Sequence, residues 1–201
     1  MIEIKTAILG CGSVNKNLLK ILANKEDYLA EKYGIAFKII AATDTSGIIV
    51  DSINDSDSKG LDPIALVDHK NSGGKVIDFL RPASSSSSSL SIPKIRGNSA
   101  SVVDVIHRLI VDDGLDLIFE ATTCCVGTTT TTEQLPTNSS IQHNANDGSS
   151  SSSEALKICS MALSLGVSVV LANKGPLVQA MDDLLKLAQT SGKRGRLEYS
   201  A

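Results

Sequence analysis

Polar and apolar residues alternate at the start of the chain and then close up into an apolar run. Residues 2–9 (IEIKTAIL) have the pattern of a strand that enters the core and becomes buried on both faces. Over 13–33 the period lengthens. Val14, Leu18, Leu19, Ile21, Leu22 and Leu29 recur at helical spacing, with Ser13 placed as an N-cap and Gly34 as a stop. Residues 35–44 (IAFKIIAATD) predict a second strand that ends on an acid. Val102, Val103, Ile106, Leu109 and Ile110 then mark a helix over 101–113, and LDLIFEA (115–121) a third strand. A helix over 154–165 and a fourth strand, VSVVLAN (167–173), come next. GPLVQAMDDLLKLAQTSG starts a helix near Pro176 and stops it at Gly192, and RLEYSA (196–201) opens one more strand. Between 48 and 81 the pattern gives a short helix at 62–70, after GLDP, and otherwise an excursion.

Strands that alternate with helices and read as apolar runs predict an α/β fold, with a parallel sheet covered on both faces. Right-handed crossovers make the doubly wound arrangement the economical topology. Three tracts interrupt it: Ser84–Ser89, Thr128–Thr132 and Ser149–Ser153. Serine and threonine runs bury too little apolar surface to offset the entropy of ordering, so 82–92 and 126–153 are expected to be surface loops.

Composition narrows the function. The 19 basic and 22 acidic residues leave a net charge of −3, which argues against a nucleic-acid partner. Lys193, Arg194 and Arg196 form the one basic cluster and read as a solvated segment after a helix. Cys11, Cys124, Cys125 and Cys159 contain no CxxC pair, and His69, His107 and His143 lack metal-ligand spacing. A reduced, metal-free protein is expected. No apolar run is long enough to span a bilayer, and MIEIKTAILG enters a strand at once. The expected location is the cytoplasm, or an organelle if a leader precedes this sequence.

The candidate chemistry starts at ILGCGSVNKN, residues 8–17. A glycine turn between a strand and a helix lets backbone approach a pyrophosphate and aims free N–H groups and the helix dipole at it. Gly10 and Gly12 occupy such a turn. Asn15 stands where a third glycine commonly gives close helix–strand packing, which predicts looser packing or a different helix entry. Asp44, at the end of the second strand, is placed to accept from the ribose hydroxyls of an adenosine, or to form an ordinary turn in DTSG. No Lys or Arg closely follows Asp44, which favours NAD over NADP, with Lys16 the nearest base to the turn. The ends of the third and fourth strands, EATT (120–123) and ANKGP (172–176), belong on the same sheet edge, where open α/β folds bind ligands. There Thr122 and Thr123 can bond a ribose or carboxamide. Lys174 can orient an anionic substrate or move a proton, or simply be solvated.

In that order, GCGSVNKNLLKIL, AATDTSG, LIFEATT and VVLANKGPL resemble the cofactor-binding domain of the homoserine dehydrogenase family, with LANKGPL the most specific piece. The resemblance covers most of the chain outside the Ser and Thr tracts. It implies a Rossmann-like domain over 1–196 that binds NAD or NADP, in an oxidoreductase that interconverts aspartate 4-semialdehyde and homoserine. It implies that Gly10 and Gly12 with Val14 hold the dinucleotide; Ser13, Asn15 and Asp44 are cofactor-binding candidates beside them, with Asn15 a departure from the family pattern. Thr122, Thr123, Asn173 and Lys174 approach the nicotinamide end, and Lys174 also assists near the substrate. It further implies a homodimer, and a sequence truncated before its catalytic domain. Residues 197–201 are then a stub of the part that carries the substrate pocket, the principal catalytic lysine and acid, and the dimerisation sheet, and 1–201 is expected to be inactive alone. A non-catalytic dinucleotide-binding or regulatory remnant is the alternative, and another dehydrogenase of this architecture a third reading.

Overall fold

The computed structural model describes residues 1–51, 59–79, 101–123, 149–190 and 195–199. The tracts 84–89 and 128–132, and Cys124, Cys125, His143, Gly192, Lys193, Arg194 and Ser200, lie outside them.

Six strands form one sheet. β1 (Ile2–Leu9), β2 (Ile35–Asp44) and β3 (Gly47–Val50) come first, then β4 (Leu117–Glu120), β5 (Ser168–Leu171) and β6 (Leu197–Tyr199). Their order across the sheet is β3-β2-β1-β4-β5-β6. β1 pairs in parallel with β2 and β4, as β4 does with β5 and β5 with β6. This is the expected doubly wound, Rossmann-like fold, with one correction. The excursion after Asp44 begins with a strand, β3, which folds back antiparallel on β2 and makes the sheet mixed. Ile48, Ile49 and Val50 are too short an apolar run to show a period, and the DTSG turn before them is the hairpin that reverses the chain.

Helices cover both faces. On one side α4 (Val102–Val111), α5 (Ser149–Ser164) and α6 (Gly175–Thr190) pack Ile106, Leu109, Ile158, Leu163 and Leu184 against Ala7, Leu9 and Ile118 of the sheet. On the other, Leu19 of α1 (Ser13–Asn24) and Leu66 and Val67 of α3 (Pro63–Asn71) meet Ile8, Ile39 and Ile49. Ile8 thus faces opposite to Ala7 and Leu9, and β1 is buried on both sides as its run of apolar residues required.

Local chemistry sets the helix limits. Asp62 Oδ1 accepts from the amides of Ile64 and Ala65, with Pro63 at the first helical position of α3. Ser101 and Asp104 form a reciprocal capping box on α4. The single helix expected over 13–33 is two, because Lys25 (φ −109°, ψ 7°) leaves helical geometry. α2 (Glu26–Tyr33) follows, buries no residue and ends at Gly34 in the left-handed region (φ 66°). Ser13 is the first residue of α1 rather than its cap, which is Gly12. α5 begins at Ser149, so the third serine tract is helical rather than a loop; serine ranks mid-scale in helix propensity, and the amphipathic segment after it propagates backwards. Among the described residues no helix is long and apolar enough to cross a membrane.

Candidate functional site

The chain leaves β1 towards β2 on one side and returns to β4 on the other, which makes the carboxyl ends of β1 and β4 a topological switch point. A cavity of about 500 Å3 opens there. Its floor is Gly10–Gly12; Asp44 and Lys70 stand on the β2 side, Thr122 and Thr123 on the β4 side, and Glu154, Ala155 and Ile158 of α5 form a wall. A second hollow, about 460 Å3 and lined by Leu22, Leu29, Phe37 and Leu61, lies between α1–α2 and β2, away from these strand tips.

The two glycines of the turn differ physically. Gly10 has φ +83°, and a Cβ on it would stand 2.7 Å from the Ala121 carbonyl oxygen and 2.8 Å from the Thr122 nitrogen. It is needed by the fold itself, because the turn presses on the end of β4. Gly12 (φ −83°) has nothing within 4 Å of a built Cβ. Open space, not strain, surrounds it. β2 holds the turn: the Gly10 amide donates to Thr43 Oγ1 at 3.0 Å, and the Cys11 amide to the Thr43 carbonyl at 2.8 Å. Cys11 is buried, which, with the charge of Asp44, pushes its thiol up to about 12, so it contributes volume rather than a thiolate.

α1 starts directly behind Gly12. No side chain caps it, and its first turn carries no acid. Its first backbone N–H groups have no partner within the helix, and intrahelical bonding starts with Lys16 N–H to the Gly12 carbonyl at 2.9 Å. Such an end attracts an anion. Of the two outcomes expected from the missing third glycine, looser packing or a different helix entry, looser packing is not seen at Asn15. Its side chain is buried and donates from Nδ2 to the carbonyls of Leu9 (2.9 Å) and Gly10 (3.0 Å), clamping the turn from below. Ser13 and Val14 are exposed. Lys16 Nζ is engaged with Asn71 Oδ1 at 2.9 Å.

Asp44 is occupied. Oδ1 accepts from the amide (2.7 Å) and hydroxyl of Ser46; Oδ2 accepts from Lys70 Nζ (2.5 Å) and the Val76 amide (3.0 Å). These four bonds fill the acceptor sites of a carboxylate. Burial works to raise its pKa, but the bonds from Lys70, Ser46 and Val76 prevail and bring it down to about 2. Lys70 comes from the last turn of α3, 26 residues on, and supplies the cation that the sequence after Asp44 lacks.

At the other end of the cavity Glu120 closes β4 and is buried. Its Oε1 accepts from the amide (2.8 Å) and hydroxyl of Thr122 and from Asn173 Nδ2 (3.4 Å). Its Oε2 is buried with no partner among the described residues. Burial raises its pKa, partly opposed by the bonds from Thr122 and Asn173. Asn173, buried after β5, also donates to Thr122 Oγ1 (3.3 Å) and accepts from the Gly175 amide (2.9 Å) at the head of α6. Lys174 is exposed beside it and does not line the cavity.

The fold therefore brings Gly10, Gly12, Asp44, Thr122 and Thr123 to one cavity, places Ser13 and Val14 at the free head of α1, and ties Asn173 to Thr122. Thr43, Lys70 and Glu120 were not singled out from sequence. Glu120 had a signal, an acid inside an otherwise apolar strand; Lys70 had none, since only the β2–β3 hairpin and α3 bring it near.

No family model matches the chain. In sequence it is 28% identical over 195 residues to the homoserine dehydrogenase of Methanocaldococcus jannaschii, covering 96% of this chain and 43% of that protein. Similar solved structures include a hyperthermophilic archaeal homoserine dehydrogenase in complex with NADPH (19% identity, TM-score 0.61, 98% of this chain and 44% of that one). Homoserine dehydrogenase from Thermoplasma acidophilum is another (17%, 0.56, 98% and 43%), as is the Staphylococcus aureus enzyme (16%, 0.53, 100% and 33%). At these identities the structures speak for the fold, and the chain spans less than half the length of each relative. In sequence and in fold, the chain is similar to the homoserine dehydrogenases, over a segment that makes up 43% of the curated relative.

Proposed function

We propose that this chain binds a nicotinamide dinucleotide, as the cofactor domain of a homoserine dehydrogenase acting between aspartate 4-semialdehyde and homoserine. The observation that carries the reading is the uncapped head of α1 behind Gly12, open to the switch-point cavity. The amides of Ser13, Val14 and Asn15 meet the pyrophosphate there, and the bare Cα of Gly12 admits it. When bound, the cofactor supplies hydride transfer. The residues of this chain bind and orient it: Gly10 and Asn15 fix the turn, Thr122 and Thr123 meet the nicotinamide end with Asn173 behind them, and Lys174 reaches the substrate from the head of α6. The resemblance and the share of the relatives covered both support a cofactor half that works with a substrate-binding half.

At the adenosine end Lys70, not Asp44, faces the ligand. With Asp44 saturated, its part is to hold the ammonium at the cavity wall, where it meets a 2′-phosphate. The reading therefore favours NADP. A thermal-shift titration with NAD(H) and NADP(H) tests both points: a ligand at 100 times its Kd adds about 2.7 kcal/mol. Wild type is expected to shift, Gly12→Val not to. Lys70→Met is expected to lose about tenfold or more in NADP(H) affinity, ~1.5 kcal/mol or more for a hydrogen bond to a charged group, with little change for NAD(H). No shift with any dinucleotide from a folded sample would overturn the reading.

A further inference from the structure

Glu120 is an awkward residue for a core. One carboxylate oxygen collects three donors while the other, fully buried, has none among the described residues. An apolar side chain or a shorter polar one would avoid the orphaned atom, so packing alone does not account for an acid here.

The hydrogen-bond directions around it are fixed from both ends by backbone amides, which only donate. The Gly175 amide makes Asn173 Oδ1 an acceptor, so Nδ2 of that side chain is the donor. The Thr122 amide makes Glu120 Oε1 an acceptor. Thr122 Oγ1 stands between: it receives from Asn173 Nδ2 and gives its single proton to Glu120 Oε1. A threonine hydroxyl has one proton and two lone pairs. With the proton and one lone pair committed inward, Thr122 can offer the cavity an acceptor and no donor.

We propose that Glu120 is a positioning residue that sets this polarity, making Thr122 an obligate acceptor selective for a ligand N–H donor, the amide nitrogen of a nicotinamide carboxamide. The proposal rests on the dinucleotide reading above. It also explains the place of the carboxyl. By fixing the Thr122 amide, Glu120 holds the peptide on which Gly10 presses, so the nicotinamide end and the phosphate turn share one support.

The test compares NADP+ with its 3-acetylpyridine analogue, in which a methyl group replaces the amide nitrogen, by calorimetric titration of the 201-residue chain; melting temperatures establish that each variant is folded. Wild type is expected to prefer the carboxamide by roughly threefold to tenfold, the effect of one hydrogen bond. Glu120→Gln, whose amide oxygen can take the place of Oε1, is expected to keep that ratio. Glu120→Leu frees the hydroxyl proton and is expected to bring the ratio to about one; Thr122→Val, which keeps Glu120, is expected to do the same. A carboxyl that only supported the fold would weaken both ligands alike and leave the ratio unchanged in Glu120→Leu. That result, or equal wild-type affinity for the two, or loss of the ratio in Glu120→Gln, would overturn the proposal while the dinucleotide reading stands. Failure of wild type to bind either ligand would overturn the dinucleotide reading, and with it this proposal.

Discussion

Gly10 and Gly12 share a turn but answer to different constraints, and substitution should separate them. Gly10→Ala places a Cβ against the Ala121–Thr122 peptide at positive φ, and we expect it to cost ~1–3 kcal/mol in a denaturant melt, dinucleotide or not. Gly12→Ala meets no protein atom and is expected to melt like wild type while binding dinucleotide at least about tenfold more weakly, the mark of a glycine required by a ligand. Asp44 carries a pH signature. Its pKa is depressed from 3.8 to about 2, so its contribution to stability is fully present above pH 4 and is lost as the pH falls towards 2. Melting temperatures of wild type and Asp44→Asn should differ at pH 6 and converge between pH 4 and 2; a gap independent of pH would refute the ion-paired assignment. These residues also show how far the site could be read in advance. That the glycine turn and the strand-end residues meet at one cavity was legible because each is marked by a local strand-to-helix or strand-to-loop boundary. Asn15 misled, since the absence of a glycine gives no hint that an amide has taken over as a clamp. Lys70 was illegible because what matters is a contact 26 residues away in sequence.

Elements were read best where their ends have dedicated chemistry. α3 and α4 came out within a residue or two of their expected starts, and Ser101→Ala, which removes one half of the α4 capping box, should cost about 1 kcal/mol in a urea melt. The break between α1 and α2 had no such mark: no glycine or proline interrupts residues 13–33, and the apolar spacing runs on across Lys25. β3 was lost for the opposite reason, four residues being too few to show a period. Yet β3 decides which cation stands at the β2 side of the cavity. A crossover helix placed directly after β2 would start at the carboxyl edge of the sheet. Because β3 first carries the chain back, α3 instead ends near that edge, with Lys70 in the last turn, where a cation is also favoured by the helix dipole.

At the scale of the molecule, the doubly wound order was legible because each parallel strand is an apolar run separated from the next by a helical period. The same order dictates how the chain must assemble. β1 pairs on one side with β2, some thirty residues on, and on the other with β4, across a loop that separates Lys5 from Asp116 by 111 residues. Closing the longer loop takes more entropy and comes later. In a pulse-labelling hydrogen-exchange experiment during refolding, we expect the amides of β2 and β3 to gain protection before those of β4 and β5; simultaneous protection would contradict this order. Thr43 and Asn15 hold the Gly10 turn once β1, β2 and α1 are together, but its contact with the Ala121–Thr122 peptide waits for β4, so the cleft is completed only after that later pairing. On the proposed reading, a dinucleotide therefore cannot template the early collapse of this chain; it would trap the finished product, slowing unfolding without hastening folding.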